Sequence, residues 1–192
     1  MKDFLIVTLA TIFLLSLIFN IKNSERFNIF DERLHRKLIR DHNGIGWQII
    51  AFLNDPKLMV VWAVLLASTL IDSDHVITAL WVLGTLGLTD LAGIILKKII
   101  KRKRPKMASK LENGYSFPSG HVLGATTMML ILLRLFGAKL GLGFILFLVA
   151  VWVMVIISRL SLRAHYPSDV AGATSLAILC FAISQQVFQL FR

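Results

Sequence analysis

The side chains suited to chemistry gather in three short stretches of this chain. In the first, residues 97–106, the run KKIIKRKRPK closes a long apolar segment. Lys97 and Arg104 are seven residues apart, so a helix of about 3.6 residues per turn brings both to one face before Pro105 stops it. Two cations on one face at a membrane surface suit a dianionic phosphate, Arg104 through its bidentate fork and Lys97 as a point charge. Alone, the run serves equally well as juxtamembrane charge that holds anionic headgroups. The second stretch, Pro118-Ser119-Gly120-His121, marks a helix start, where unsatisfied N–H groups and the positive end of the dipole receive an anion. Gly120 permits close approach to the backbone, Ser119 adds a hydroxyl, and His121 stands beside them. Alone, these four residues also read as an N-cap with an incidental histidine. The third stretch, SRLSLRAHYPSD at 158–169, supplies Arg159, Arg163, His165 and Asp169. A carboxylate that holds an imidazole fixes its tautomer and makes the other ring nitrogen a better nucleophile or base. Because Pro167 disfavours a helical Tyr166, Asp169 is expected in the first turn of the following helix, reaching back.

Together the stretches make an anion site with a nucleophile and an acid. The sequence offers no metal-ligand set, neither an Asp/Glu cluster, nor an HExxH helix, nor paired cysteines. Phosphoryl transfer without a metal, its charge met by cations, fits the residues best, and no cofactor is expected.

The elements that must position these residues are membrane spans. The 192-residue chain is 56% hydrophobic with a net charge of +10 and a mean hydropathy of +0.73, values that set it apart from soluble domains. Six segments approach the roughly 20 apolar residues that cross a bilayer: 4–21, 58–71, 76–96, 122–135, 142–157 and 170–191. The first is taken as a span, since its apolar core is longer than that of a cleaved signal peptide. The expected fold is therefore all-α, a single domain over 1–192 built as a six-helix membrane bundle. A basic amphipathic helix over 23–43, with Phe27, Phe30, Leu34 and Leu38 on one side, is expected to lie in the interface. Six spans put all three chemical stretches on one membrane face, which holds 17 of the 21 lysines and arginines. The single Cys180 excludes an intramolecular disulfide.

Lys97-x6-Arg104-Pro105, Pro118-Ser119-Gly120-His121 and Ser158-Arg159-x5-His165-x3-Asp169 resemble, in order and spacing, the three-part signature of the type 2 phosphatidic acid phosphatase superfamily. Its membrane members are six-helix lipid phosphatases. The resemblance covers about residues 58–191. It implies that His165 attacks phosphorus to form a phosphohistidine, that Asp169 orients it, and that His121 protonates the leaving oxygen and then activates water. Lys97, Arg104, Ser119, the Gly120 N–H and Arg159 would hold the phosphate oxygens. Arg163 is an additional candidate, for a second phosphate or a polar headgroup, or else a solvated loop charge. Asp90, an ionisable residue inside a span, is another, with helix packing as its other reading.

The implied activity is removal of a terminal phosphate from a membrane lipid: phosphatidylglycerophosphate, phosphatidic acid, undecaprenyl diphosphate or a lipid A phosphate. A phosphotransferase using the same phosphohistidine is the alternative, and a non-enzymatic binder or transporter of anionic lipids a third reading. The expected partners are the lipid substrate and the bilayer, without nucleic acid or an obligate protein. The expected location is a bacterial inner membrane. Positive-inside counting puts the basic face in the cytoplasm, whereas the resemblance puts the site on the periplasmic or external side; the resemblance is followed here.

Overall fold

The computed structural model describes residues 2–38, 44–105 and 114–191. Arg40, Lys106, Lys110 and Arg192, counted above among the basic residues, lie outside these, as does the side chain of Lys2. Among the described residues the chain is all-helical: α1 (Lys2–Asn23), α2 (Glu25–Leu38), α3 (Ile45–Leu53), α4 (Pro56–Asp72), α5 (Val76–Ile100), α6 (Gly120–Leu132), a π-helical turn (Leu133–Gly137), α7 (Ala138–Ser161) and α8 (Pro167–Gln189).

Four helical stretches are long and apolar enough to cross a membrane, and the bent pair α3 and α4 makes a fifth. The protein is an integral membrane protein, and its outer face fits that solvent: Leu9, Ile12, Leu91, Leu142 and Phe147 are all more than half exposed. Asn54 and Asp55 break the α3–α4 pair, which bends by 48°. The Asp55 side chain caps α4 by accepting from the Lys57 N–H at 2.9 Å, and Pro56 fills the first helical position, where no N–H is needed.

One apolar stretch, Gly120–Ser161, runs for 42 residues. It is not one rod. Trp152 Nε1 donates to Thr126 Oγ1 at 2.9 Å across 26 residues, which a straight helix would separate by about 39 Å. The chain turns back through the π-helical turn and Gly141, whose φ of 75° only glycine adopts freely. α6 and α8 pack along each other at the centre of the bundle. Phe117, Val122, Val155, Val170, Ala173 and Leu176 fill the core at the end that carries the chemical residues, and Met59, Val82, Ile131 and Phe188 fill the other.

One local expectation meets a different geometry. α5 ends at Ile100, because Lys101 takes a left-handed conformation (φ 52°) while its N–H closes the helix on the Lys97 carbonyl. Arg104 is therefore not on the helical face of Lys97. Residues 102–103 instead bond to Ser116, whose N–H donates to the Arg102 carbonyl at 2.8 Å and whose hydroxyl donates to the Lys103 carbonyl at 3.2 Å. These loop bonds compete successfully with a further helical turn.

The bundle-facing side of α2 carries polar groups as well as Phe27, which packs on the core: Asp31 and His35 are buried, whereas Phe30 and Leu38 are exposed. His35 Nε2 lies 3.0 Å from the Leu160 carbonyl, so α2 docks through hydrogen bonds that satisfy buried polar groups.

Candidate active site

α5 and α7 run toward one end of the bundle, and α6 and α8 start there, so the three sequence stretches converge. His165 occupies the loop between α7 and α8 and is 1% exposed. Arg104 Nη1 lies 3.3 Å from His165 Nε2, and a guanidinium can only donate. Nε2 therefore carries the lone pair and Nδ1 the proton, which it donates to the Ser116 carbonyl at 2.9 Å. Asp169 Oδ2 stands 3.6 Å from the same Nδ1. The imidazole is thus oriented from behind by a carbonyl and a carboxylate. Burial pushes its pKa down to about 4, against the upward pull of Asp169 and assisted by the positive charges of Arg104 and Arg159. The ring is neutral at pH 7.

Asp169 is the third residue of α8 and is fully buried. Its Oδ2 accepts from the Tyr166 N–H at 2.9 Å, completing the helix start, and its Oδ1 accepts from Arg102 Nη1 at 2.7 Å. Pro167 opens the helix, which leaves the preceding residue extended and aims the loop back toward Ser116. The Ser119 N–H donates to the Asp169 carbonyl at 3.2 Å, tying the first turns of α6 and α8 together. The Ser119 hydroxyl is buried with no hydrogen-bond partner among the described residues, an orphan that suits an anion's oxygen. Lys97 lies against Gly120: a Cβ there would stand 3.7 Å from Lys97 Nζ and 3.3 Å from Pro56 Cγ. His121 is half-buried, with Nε2 3.8 Å from Asp55 Oδ2. Arg159, at the end of α7, is 1% exposed.

Of the expected site residues, Arg104, Arg159, His165 and Asp169 form one cluster, while Ser119, Gly120, His121 and Lys97 meet around the start of α6. Arg163, with φ 53°, closes the end of α7 through its N–H on the Leu160 carbonyl at 2.9 Å. Asp90 is half-buried on α5, two turns before Lys97.

Several contributors escaped the sequence reading. Arg102 donates to Asp31 at 2.8 Å, Asp169 at 2.7 Å, Ser168 at 2.6 Å and Asn28 at 3.1 Å, and its guanidinium covers the Tyr166 ring at 4.3 Å. Burial alone would lower the Arg102 pKa, but Asp169 and Asp31 outweigh it and hold the charge more firmly. Asn28, Asp31 and His35, spaced i, i+3, i+7, make a polar stripe on α2 that could have signalled this contact.

The loop that presents Ser116 and Ser119 depends on Gly172. A Cβ at 172 would stand 2.3 Å and 2.5 Å from Cε2 and Cζ of Phe117, a fully buried ring. Gly172→Ala is expected to cost about 1–3 kcal/mol through overpacking. Gly84→Ala, with nothing within 4 Å of its new methyl, is the control. Thermal unfolding in detergent should separate the two, and equal midpoints would remove the packing argument.

Comparisons with known proteins show the family and the fold. A sequence model of the PAP2 superfamily matches residues 78–192. The phosphatidylglycerophosphatase B of Haemophilus influenzae is 41% identical over 81 residues, which cover 38% of this chain and 32% of that protein. The chain thus matches about a third of the length of that curated relative. The fold resembles the crystal structure of a transmembrane PAP2-type phosphatidylglycerolphosphate phosphatase from Bacillus subtilis, with a TM-score of 0.84 at 22% identity and 97% coverage of each chain. By the extent of the family match, which spans all three stretches with His121 and His165, this chain belongs to the PAP2 superfamily.

Proposed function

We propose that this protein is a membrane lipid phosphatase that releases a terminal phosphate through a phosphohistidine, without a metal. The observation that carries the reading is the buried neutral His165, with its proton held on Nδ1 by the Ser116 carbonyl and its Nε2 lone pair beside Arg104. Nε2 attacks phosphorus while the bond to the lipid oxygen breaks and His121 gives that oxygen a proton. The neutral His121 then takes a proton from water, the hydroxyl attacks phosphorus, the P–N bond breaks, and phosphate leaves. Arg104, Arg159, Lys97, the Ser119 hydroxyl and the Gly120 N–H hold the phosphoryl oxygens as charge redistributes. Asp55, 3.8 Å from His121, offers a partner to the protonated ring.

The proposed topology has six spans, obtained by dividing the 42-residue stretch at Gly141 and counting α3 with α4 as one. This alternation supports a site at one membrane surface, and the proposed surface is the external one of a bacterial inner membrane. α2 is proposed to lie in that interface with Phe30 and Leu38 toward lipid. Among lipid phosphates, phosphatidylglycerophosphate comes first, because both similar proteins are named for it; phosphatidic acid, undecaprenyl diphosphate and lipid A follow. The lipid and the bilayer are the proposed partners, with no obligate protein.

Phosphate release from these four lipids by purified protein in detergent tests the reading. Release is expected to persist in a chelator and to fall with vanadate, which mimics five-coordinate phosphorus. Activity that disappears with chelator and returns with magnesium would overturn the metal-free mechanism. Silence toward all four lipids from folded protein would overturn the hydrolase reading.

A further inference from the structure

α2 brings to this end of the bundle a buried carboxylate that the mechanism above does not use. Asp31 is 3% exposed, and its two oxygens serve different partners. Oδ1 accepts from the Ser168 N–H at 3.1 Å; Oδ2 accepts from Arg102 Nη2 at 2.8 Å and from the Ser168 hydroxyl. Arg102 Nη1 donates to Ser168 Oγ and to Asp169 Oδ1. One planar guanidinium therefore joins α2 to the first turn of α8, at the face of Asp169 opposite His165. Ser168, immediately before Asp169, is held from both its backbone and its hydroxyl. His35 anchors the same helix to the Leu160 carbonyl and sets its ring edge-on to Tyr166, 6.2 Å between centroids. Among the described residues, Asp31, His35 and the Asn28 side-chain oxygen thus meet Arg102 or residues flanking the His165 loop, while the Asn28 amide donates to the Ile21 carbonyl of α1 at 2.9 Å.

An ion pair that only stapled α2 to the bundle would not need to meet Asp169. We infer that Asp31 and Arg102 are positioning residues of the reaction, through which α2 holds the Asp169 carboxylate in place behind His165. The inference rests on the phosphohistidine reading. Asp169 needs such a support because its only contact with His165 is the 3.6 Å approach, and a small rotation of its carboxylate toward Arg102 or away from it changes that distance. A lysine cannot reproduce the arrangement, since one ammonium lacks the fork that spans Asp31 and Asp169 together.

The charges that bear on the imidazole are countable. Asp169 faces it from α8, and Arg104 and Arg159 face it from the 101–105 segment and α7. Arg102 and Asp31 stand behind Asp169, with Tyr166, Ser168 and Asn28 completing the shell and Glu32 near Tyr166. Removing the Arg102 charge leaves Asp169 less compensated, so protonated His165 becomes easier to form and the acid limb of kcat/KM moves up. A structural staple would lower stability without moving that limb.

The test compares the wild-type full chain with Asp31→Asn, Arg102→Lys and the double variant Asp31→Asn/Arg102→Gln. The double change removes both buried charges, which folds more readily than removal of one partner alone. Phosphate release from an aryl phosphate and from phosphatidylglycerophosphate is followed against pH, together with thermal midpoints. The expected result is a loss of kcat of about 10- to 100-fold in Arg102→Lys and in the double variant, with KM changed less than about threefold. The acid limb should move up in the double variant, where loss of Arg102, in contact with Asp169, outweighs loss of Asp31 on its far side, and stay in Arg102→Lys, which keeps the charge. Lower thermal midpoints with unchanged kcat in the folded variants would overturn the inference, as would failure of all three variants to fold. A wild type that releases phosphate independently of His165 would instead overturn the phosphohistidine reading, and this inference with it.

Discussion

Phosphate release should fall by roughly 10⁴-fold or more when His165 is replaced by alanine, the loss seen when a covalent nucleophile has no substitute. No other described imidazole can take its place. His121 lies across the site beside Asp55, and His35 is spent on the Leu160 carbonyl. The cations that remain, Arg104 and Arg159 among them, would keep the proposed phosphate pocket, so His165→Ala should still bind inorganic phosphate while it turns over nothing. In the wild type, alkaline quenching during turnover of labelled lipid should trap label on the protein, because phosphohistidine survives base and decays in acid. Substantial turnover by the alanine variant, or labelled variant protein, would transfer the nucleophile's role elsewhere. The environment would let such a nucleophile work at neutral pH. Burial holds the imidazole pKa near 4, so the lone pair is available without first removing a proton. Only below that range should protonation silence it.

The long apolar helices and several of their ends were legible for a simple reason: apolar run length and the position of proline and glycine report local energetics. Segments 76–96 and 170–191 correspond to α5 and α8, and the break at Asn54 and Asp55 follows from a capping carboxylate placed directly before a proline. The first turn of α8 could be anticipated from Pro167, which fixes where Asp169 must sit. What escaped depended on contacts between distant segments. Helical spacing put Arg104 beside Lys97, but the pairing of residues 102–103 with Ser116 ended α5 at Ile100. No local rule sees a partner 13 residues away. The amphipathic reading of α2 put its phenylalanine and leucine stripe in the interface but did not see what the other side of the helix meets. In a bilayer the outside is apolar as well, so Phe30 and Leu38 gain nothing by facing the bundle, and the rarer polar stripe of Asn28, Asp31 and His35 faces inward.

Charge counting was similarly ambiguous. The seventeen basic residues that a six-span reading puts on one face would bias insertion, yet several are committed to local structure. Arg102 neutralises two buried carboxylates, and Arg159 is buried at the end of α7. A residue type says how much charge is present; its depth and partners decide whether that charge steers insertion, binds substrate or holds a helix.

His121→Ala should separate the two halves of the reaction. The alanine variant has no group beside Asp55 to protonate the departing oxygen, so substrates with poor leaving groups suffer most. For a lipid alkyl phosphate, kcat/KM is expected to drop by about 10²–10⁴-fold, the usual contribution of a positioned general acid. For an activated aryl phosphate, whose oxygen leaves without a proton, the same parameter should fall by less than about tenfold, since kcat/KM includes nothing after the first P–O cleavage. The second half should then slow for both substrates, because the base that activates water is gone. With the aryl phosphate, this predicts a burst of phenol equal to the enzyme present, followed by slow turnover and accumulation of base-stable phosphoprotein. Equal losses of kcat/KM on both substrates would remove His121 from the role of acid, and a missing burst would remove it from the role of base. If both fail while His165→Ala remains inactive, the proton must come from solvent, and the Asp55–His121 pair would be a support for the start of α6.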